Sequence, residues 1–126
     1  MAMDELVIWE TLGEKGFRRM VAAFYRQVRE DELLAPMYPD DDWEGAEQRL
    51  YGFLAFRFGG VTDYVDERGH PRLRGRHMPF AIGEAERDRW LALMQSAVEE
   101  TGVPAETGRT LMAFFAQVAD FMRNRS

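Results

Sequence analysis

Phe17-Arg-Arg-Met20-Val21-Ala-Ala-Phe24-Tyr25-Arg-Gln-Val28 decides the fold class. Its large apolar residues fall at i, i+3, i+4, i+7, i+8 and i+11, one face of an α-helix and no face of a strand. Upstream, residues 4–10 form a short first helix with Asp4 near its start. Downstream, Asp31 caps a helical turn through Leu34. Pro36 and Pro39 then bracket a non-helical corner holding Met37 and Tyr38. A second long helix carries Ala46, Leu50, Phe53, Leu54 and Phe58 on one broad face, and Gly59-Gly60 ends it. Residues 61–71 lack periodicity and read as a loop. Pro71 begins a short helix that Pro79 closes. Gly83 precedes a helix with Arg87, Trp90, Leu91, Met94, Ala97 and Val98 in register, stopped by Gly102 and Pro104. The last helix carries Leu111, Phe114, Phe115, Val118, Phe121 and Met122. With no alternating strand, the expectation is an all-α chain of five or six helices.

Composition supports one domain over residues 1–126, since 126 residues is the size of a single domain. At 46% hydrophobic and 13% aromatic it can build a core and is not a disordered chain. The absence of cysteine removes disulfides, thiolate metal sites, iron–sulfur clusters and Cys nucleophiles. A net charge of −6 argues against nucleic acid as a partner. No apolar run is long enough to span a membrane. The acidic start Met1-Ala2-Met3-Asp4-Glu5 lacks the basic, then apolar, pattern of a signal peptide, so a cytoplasmic location is the default expectation.

Three features stand out from a plain helical domain. Asp40-Asp41-Asp42 resembles a metal loop only in its acidity. It lacks the alternating ligands, turn glycine and distant Glu of a calcium loop, so these carboxylates are read as sitting at a helix N-terminus, one of them the cap. Tyr25 and Trp90 lie on inward-facing stripes, and Tyr38 lies in the Pro-bracketed corner. A buried phenol or indole needs a partner. Either each bonds a nearby carbonyl, or the three converge as donors inside an apolar cavity. Finally, Arg68-Gly-His70-Pro-Arg-Leu-Arg-Gly-Arg76-His77-Met-Pro-Phe80 holds both histidines and four arginines with no acid, inside an acidic protein. Such a patch suits a ligand with paired carboxylates or a short nucleic-acid contact. The two histidines do not make a two-His metal site, and no Glu-x-x-His di-iron pairing is present.

In this order and spacing the residues resemble a family. Arg68 through Gly83, followed by Glu86-Arg-Asp-Arg-Trp90-Leu, with Phe24-Tyr25, Met37-Tyr38-Pro39 and Gly59-Gly60 in support, is similar to the group II truncated haemoglobins. The resemblance runs from about residue 12 to 122. It implies a two-over-two helical sandwich around haem b (iron protoporphyrin IX), with His77 as the proximal iron ligand. His70, which falls before the short helix, is the rival. The resemblance places Tyr25, Tyr38 and Trp90 around the distal ligand. It sets Ala46 where many globins carry a distal His, and Leu50, Phe53 and Leu54 as an apolar wall, with Phe80 and Met94 also lining the pocket. Arg76, and more weakly Tyr64, would meet the haem propionates. The family's Gly-Gly pair before the second helix reads Gly13-Glu14 here, so the geometry of that N-terminal turn is where a difference is expected.

The function implied is reversible, high-affinity binding of O2 and of other diatomics such as NO and CO, held by Tyr and Trp hydrogen bonds. A ligand that takes on negative charge strengthens such bonds to about 1.5–3 kcal/mol each. Slow release then suits sensing, scavenging or redox chemistry better than bulk delivery. The alternative on the same haem is an NO dioxygenase or peroxidase, which would need an unidentified reductase, for no flavin or nicotinamide motif is present. A haem-free helical interaction module is the remote alternative. The chain is expected as a monomer or homodimer.

Overall fold

The computed structural model describes residues 5–38, 40–60 and 83–121. Among them are four α-helices and no strands: α1 Glu5–Val28, α2 Trp43–Gly59, α3 Glu84–Glu100 and α4 Ala105–Phe121, with a 3-10 turn at Ala35–Met37 between α1 and α2. The loop and short helix expected between residues 61 and 79 lie outside the described residues. No described helix is long and apolar enough to cross a membrane.

α1 is two helical pieces joined at Gly13, whose φ of 67° and ψ of 177° break the helix without a loop. That positive φ costs a residue with a Cβ about 1 kcal/mol or more, which is why glycine stands here. The expected break between a first short helix and a second is thus present, reduced to a single residue. Glu14 does not disturb it. It opens the second piece and pairs with Arg18 one turn on, at 3.1 Å. At the far end of α2, Gly60 adopts the left-handed conformation (φ 67°) and returns its N–H to Phe56 O at 3.2 Å, closing the helix as its sequence anticipated.

Packing follows the inward stripes. α1 lies against both α2 and α3, and α3 lies against α4. Two helix pairs, α1 with α2 and α3 with α4, are therefore stacked through the α1–α3 contact. Phe17, Met20, Val21, Phe24, Tyr25 and Val28 are all buried at the centre, against Leu54 and Phe58 of α2, Met94, Ala97 and Val98 of α3, and Leu111 and Phe115 of α4. The Phe17 ring is sandwiched between Trp9 at 5.2 Å and Phe58 at 5.7 Å. Trp9 needs room to do this: a Cβ on Gly59 would lie 2.5 Å from its indole. An ion pair between Arg26 and Glu100 ties the end of α1 to the end of α3.

One expectation changes in detail. Asp42 occupies the cap position of α2, yet its carboxylate makes no capping bond. It accepts instead from Arg49, two turns along the helix, at 3.0 Å. Arg49 competes for the carboxylate with a full charge, and a charge-assisted bond is about twice as strong as a neutral one. Among the described residues no cluster of acids and histidines is arranged to hold a metal ion.

Candidate functional site

Three separate elements deliver the polar-tipped aromatics. Tyr25 comes from the inner stripe of α1, Tyr38 from the residue after the 3-10 turn, and Trp90 from the second turn of α3. The corner that places Tyr38 is built by hydrogen bonds. Asp31 Oδ2 accepts from the N–H of Leu33 at 3.1 Å and of Leu34 at 2.9 Å, as its capping role predicts. Ala35 N then donates to Asp31 O, Met37 N to Leu34 O, and Tyr38 N to Ala35 O, at 2.9–3.1 Å. These bonds carry the chain from the end of α1 to Tyr38 without slack.

The aromatic rings form a continuous ladder across the molecule. Phe115 of α4 meets Trp90 at 5.5 Å, and Trp90 meets Phe24 at 4.9 Å. Phe24 meets Tyr25 at 5.0 Å, Tyr25 meets Tyr38 at 5.5 Å, and Tyr38 meets Trp43 at 5.4 Å. The first four contacts are edge-to-face, the arrangement that ring quadrupoles favour. Each ring is thereby held on two sides.

At their polar tips the three side chains influence one another. Burial pushes the Tyr25 phenol well above the usual tyrosine range, and the neighbouring Tyr38 hydroxyl pushes it further. Burial also raises Tyr38, against the opposing influence of the Tyr25 hydroxyl and the Trp90 indole N–H, which can only donate. The positive charge of Arg49 acts on both phenols in the lowering direction without overcoming burial. Both hydroxyls are therefore neutral at physiological pH, and both carry their protons. The Tyr25 ring meets that of Tyr38, and Trp90 joins them through Phe24, so the three side chains belong to one aromatic cluster.

Around this cluster the apolar side chains expected as a wall lie on the facing helices. Ala46, Leu54 and Met94 are buried, and Leu50 and Phe53 are half-buried against the core. Phe53 also faces Phe114 of α4 at 6.3 Å. Phenol and indole donors beside partly covered apolar side chains suit a flat apolar group that carries a small acceptor, and the chemistry of these residues is of the kind a haem with a diatomic ligand would need. Tyr64, Arg76, His77, Phe80 and the rival His70 lie outside the described residues.

Two contributors were not singled out from the sequence. Trp43 closes the ladder beyond Tyr38, and Arg89 reaches Asp31 Oδ1 at 3.0 Å. Trp43 carried a signal, an aromatic at a helix start just past a proline corner. The Asp31–Arg89 pair carried none, because its partners are 58 residues apart.

A family model described as bacterial-like globin matches residues 7–124. The group 2 truncated hemoglobin YjbI of Bacillus subtilis (strain 168) is 35% identical over 118 residues, covering 94% of this chain and 89% of that protein. Among solved structures, the hemoglobin of the thermophilic phototrophic bacterium Chloroflexus aurantiacus superposes with a TM-score of 0.88 at 43% identity, over 94% of this chain and 98% of that one. The truncated oxygen-avid haemoglobin of Bacillus subtilis superposes with a TM-score of 0.87 at 34% identity, over 93% and 98%.

Proposed function

Since this chain belongs to the bacterial-like globin family, among the group II truncated haemoglobins with their two-over-two fold, we propose that it binds one haem b without a covalent link and uses it to hold O2 tightly and reversibly. NO and CO would enter the same place. A bound haem would supply an iron able to bind an imidazole and a diatomic ligand. In this reading His77 is the imidazole, and its other ring nitrogen donates to an acceptor that fixes the tautomer. Leu50, Phe53, Leu54, Phe80 and Met94 cover the macrocycle and keep water away. Ala46, too small to donate or to obstruct, leaves a gap for entry. Arg76, with Tyr64, meets the propionates at the rim.

The observation that carries this reading is the aromatic cluster that gathers Tyr25, Tyr38 and Trp90 from three separate elements. Their two hydroxyls and one indole N–H would form the ligand's polar surface. A hydrogen bond to a charged acceptor is worth about 1.5–3 kcal/mol. At ~1.4 kcal/mol per tenfold, one such donor slows release by roughly ten- to a hundredfold. The oxygen avidity named for the Bacillus subtilis structure is in keeping with such a site. The test is direct. Purified protein, or protein reconstituted with hemin, should show a b-type haem spectrum at one haem per chain. A preparation that stays colourless after reconstitution would end the globin function proposed here.

A further inference from the structure

We propose that Asp31 and Arg89 are positioning residues for the distal donors, acting as a strut that holds the Tyr38 corner in register with the helix that carries Trp90. The proposal rests on the reading of Tyr38 and Trp90 as ligand donors. Asp31 divides its carboxylate between two duties. Oδ2 takes the N–H groups of Leu33 and Leu34, and Oδ1 takes Arg89 at 3.0 Å. Its side chain is only 8% exposed, whereas that of Arg89 is 52% exposed. The arginine thus reaches in from the surface to a carboxylate already fixed by the backbone.

The contacts form a closed circuit. From Asp31 the corner runs through Ala35 to Tyr38 by backbone hydrogen bonds. The Tyr38 ring meets Tyr25 at 5.5 Å, Tyr25 meets Phe24 at 5.0 Å, and Phe24 meets Trp90 at 4.9 Å. Trp90 is the chain neighbour of Arg89, and Arg89 returns to Asp31. Two elements distant in sequence are therefore fastened at two points, by ring contacts on the inner side and by an ion pair on the outer side. With the outer point removed, the corner and α3 keep their own internal bonds but lose a fixed separation. The placement of the Trp90 indole N–H relative to Tyr38, which depends on that separation, is what suffers. The other arginine near the start of α3 serves as a contrast. Arg87 pairs with Asp120 of α4 at 2.9 Å and with Asp88 at 2.9 Å, and touches nothing in the corner.

The experiment compares Arg89→Gln, Arg89→Lys and Arg87→Gln in the haem-loaded carbonmonoxy protein. Hydrogen exchange of the Trp90 indole N–H is read by NMR against the Met94 backbone amide, which reports the opening of α3 itself. In Arg89→Gln the ratio should rise by about tenfold, the scale of one lost hydrogen bond, and O2 dissociation should quicken several-fold. Arg89→Lys should restore part of both. Arg87→Gln should leave both within about twofold even where it lowers thermal stability, because it loses charge-assisted bonds of the same strength elsewhere. An unchanged ratio in Arg89→Gln, or an equal rise in Arg87→Gln, overturns the strut. A faster indole exchange with unchanged O2 release leaves the strut standing and instead refutes Trp90 and Tyr38 as ligand donors.

Discussion

Tyr38→Phe tests the shared-acceptor geometry more sharply than any other single change. The substitution removes one oxygen and keeps the ring. In the shared-acceptor reading two donors lose their partner together: the Tyr25 hydroxyl, on a residue 5% exposed, and the indole N–H of the partly buried Trp90. A buried donor left without a partner costs about 1–3 kcal/mol. Tyr25 should approach the middle of that range, and Trp90, which water can reach, the lower end. The sum is about 2–4 kcal/mol. Tyr25→Phe removes a donor instead, and leaves Tyr38 Oη still bonded to Trp90. Losing one bond without orphaning a buried donor costs only about 0.5–1.5 kcal/mol. The double variant should cost less than the sum, because Tyr38→Phe no longer strands a Tyr25 hydroxyl. The assay is equilibrium urea unfolding by far-UV circular dichroism at a fixed haem concentration, since haem binding itself shifts the midpoint. If Tyr25→Phe destabilises as much as Tyr38→Phe, or the two effects add, the oxygen shared by three elements is not the centre of the cluster.

The remaining predictions address the haem contact, the ligand, the fold and pH. His77→Ala should lose haem on gel filtration, while His70→Ala retains it; the reverse result would identify the other imidazole as the ligand. Trp90→Phe should speed O2 release by roughly tenfold or more, by the hydrogen-bond scale above, in stopped-flow displacement with CO; an unchanged rate would remove the indole from the ligand's surroundings. Gly59→Ala should destabilise by about 1–3 kcal/mol in urea, because the new methyl meets the Trp9 ring at 2.5 Å; a more stable variant would mean that helix propensity outweighs the clash. The raised Tyr25 pKa means that the folded state holds this proton more tightly than the unfolded state does. Its contribution is therefore present below the unfolded value of about 10 and is lost as pH climbs from there through the folded-state value. The urea midpoint should fall less steeply between pH 9.5 and 11, an interval of roughly the unfolded titration, in Tyr25→Phe than in the parent.

The helices were legible because each announces itself locally. The 17–28 stripe, the Gly59-Gly60 stop and the Gly83 start depend on residues within a turn or two of one another. At Glu14 the sequence left the turn's geometry open, and the structure shows Gly13 alone providing the positive φ there. Asp42 was half legible. Its position is a cap, but its carboxylate answers to Arg49, and a preference between two partners is an energy difference that spacing does not encode. Tyr25, Tyr38 and Trp90 could each be marked as a polar tip on an inward face. Their place in one aromatic cluster could not, because it depends on how α1, the corner and α3 pack. The family resemblance implied that they gather around a ligand; periodicity alone left it open.

What packing adds is rigidity at the point of chemistry. A lone tyrosine on a helix can swing about two side-chain torsions, and a donor that must be ordered at the moment of binding loses part of its strength to that ordering. Here the ordering is complete beforehand. Edge-to-face rings from Phe115 to Tyr38 fix the positions of the indole and the two phenols, each contact worth about 0.5–1.5 kcal/mol beyond burial. The backbone bonds from Asp31 fix the corner from outside. In the function proposed here, donors arranged before the ligand arrives need little reorganisation to meet it, and that would be the physical route from a helical stripe in residues 17–28 to slow ligand release.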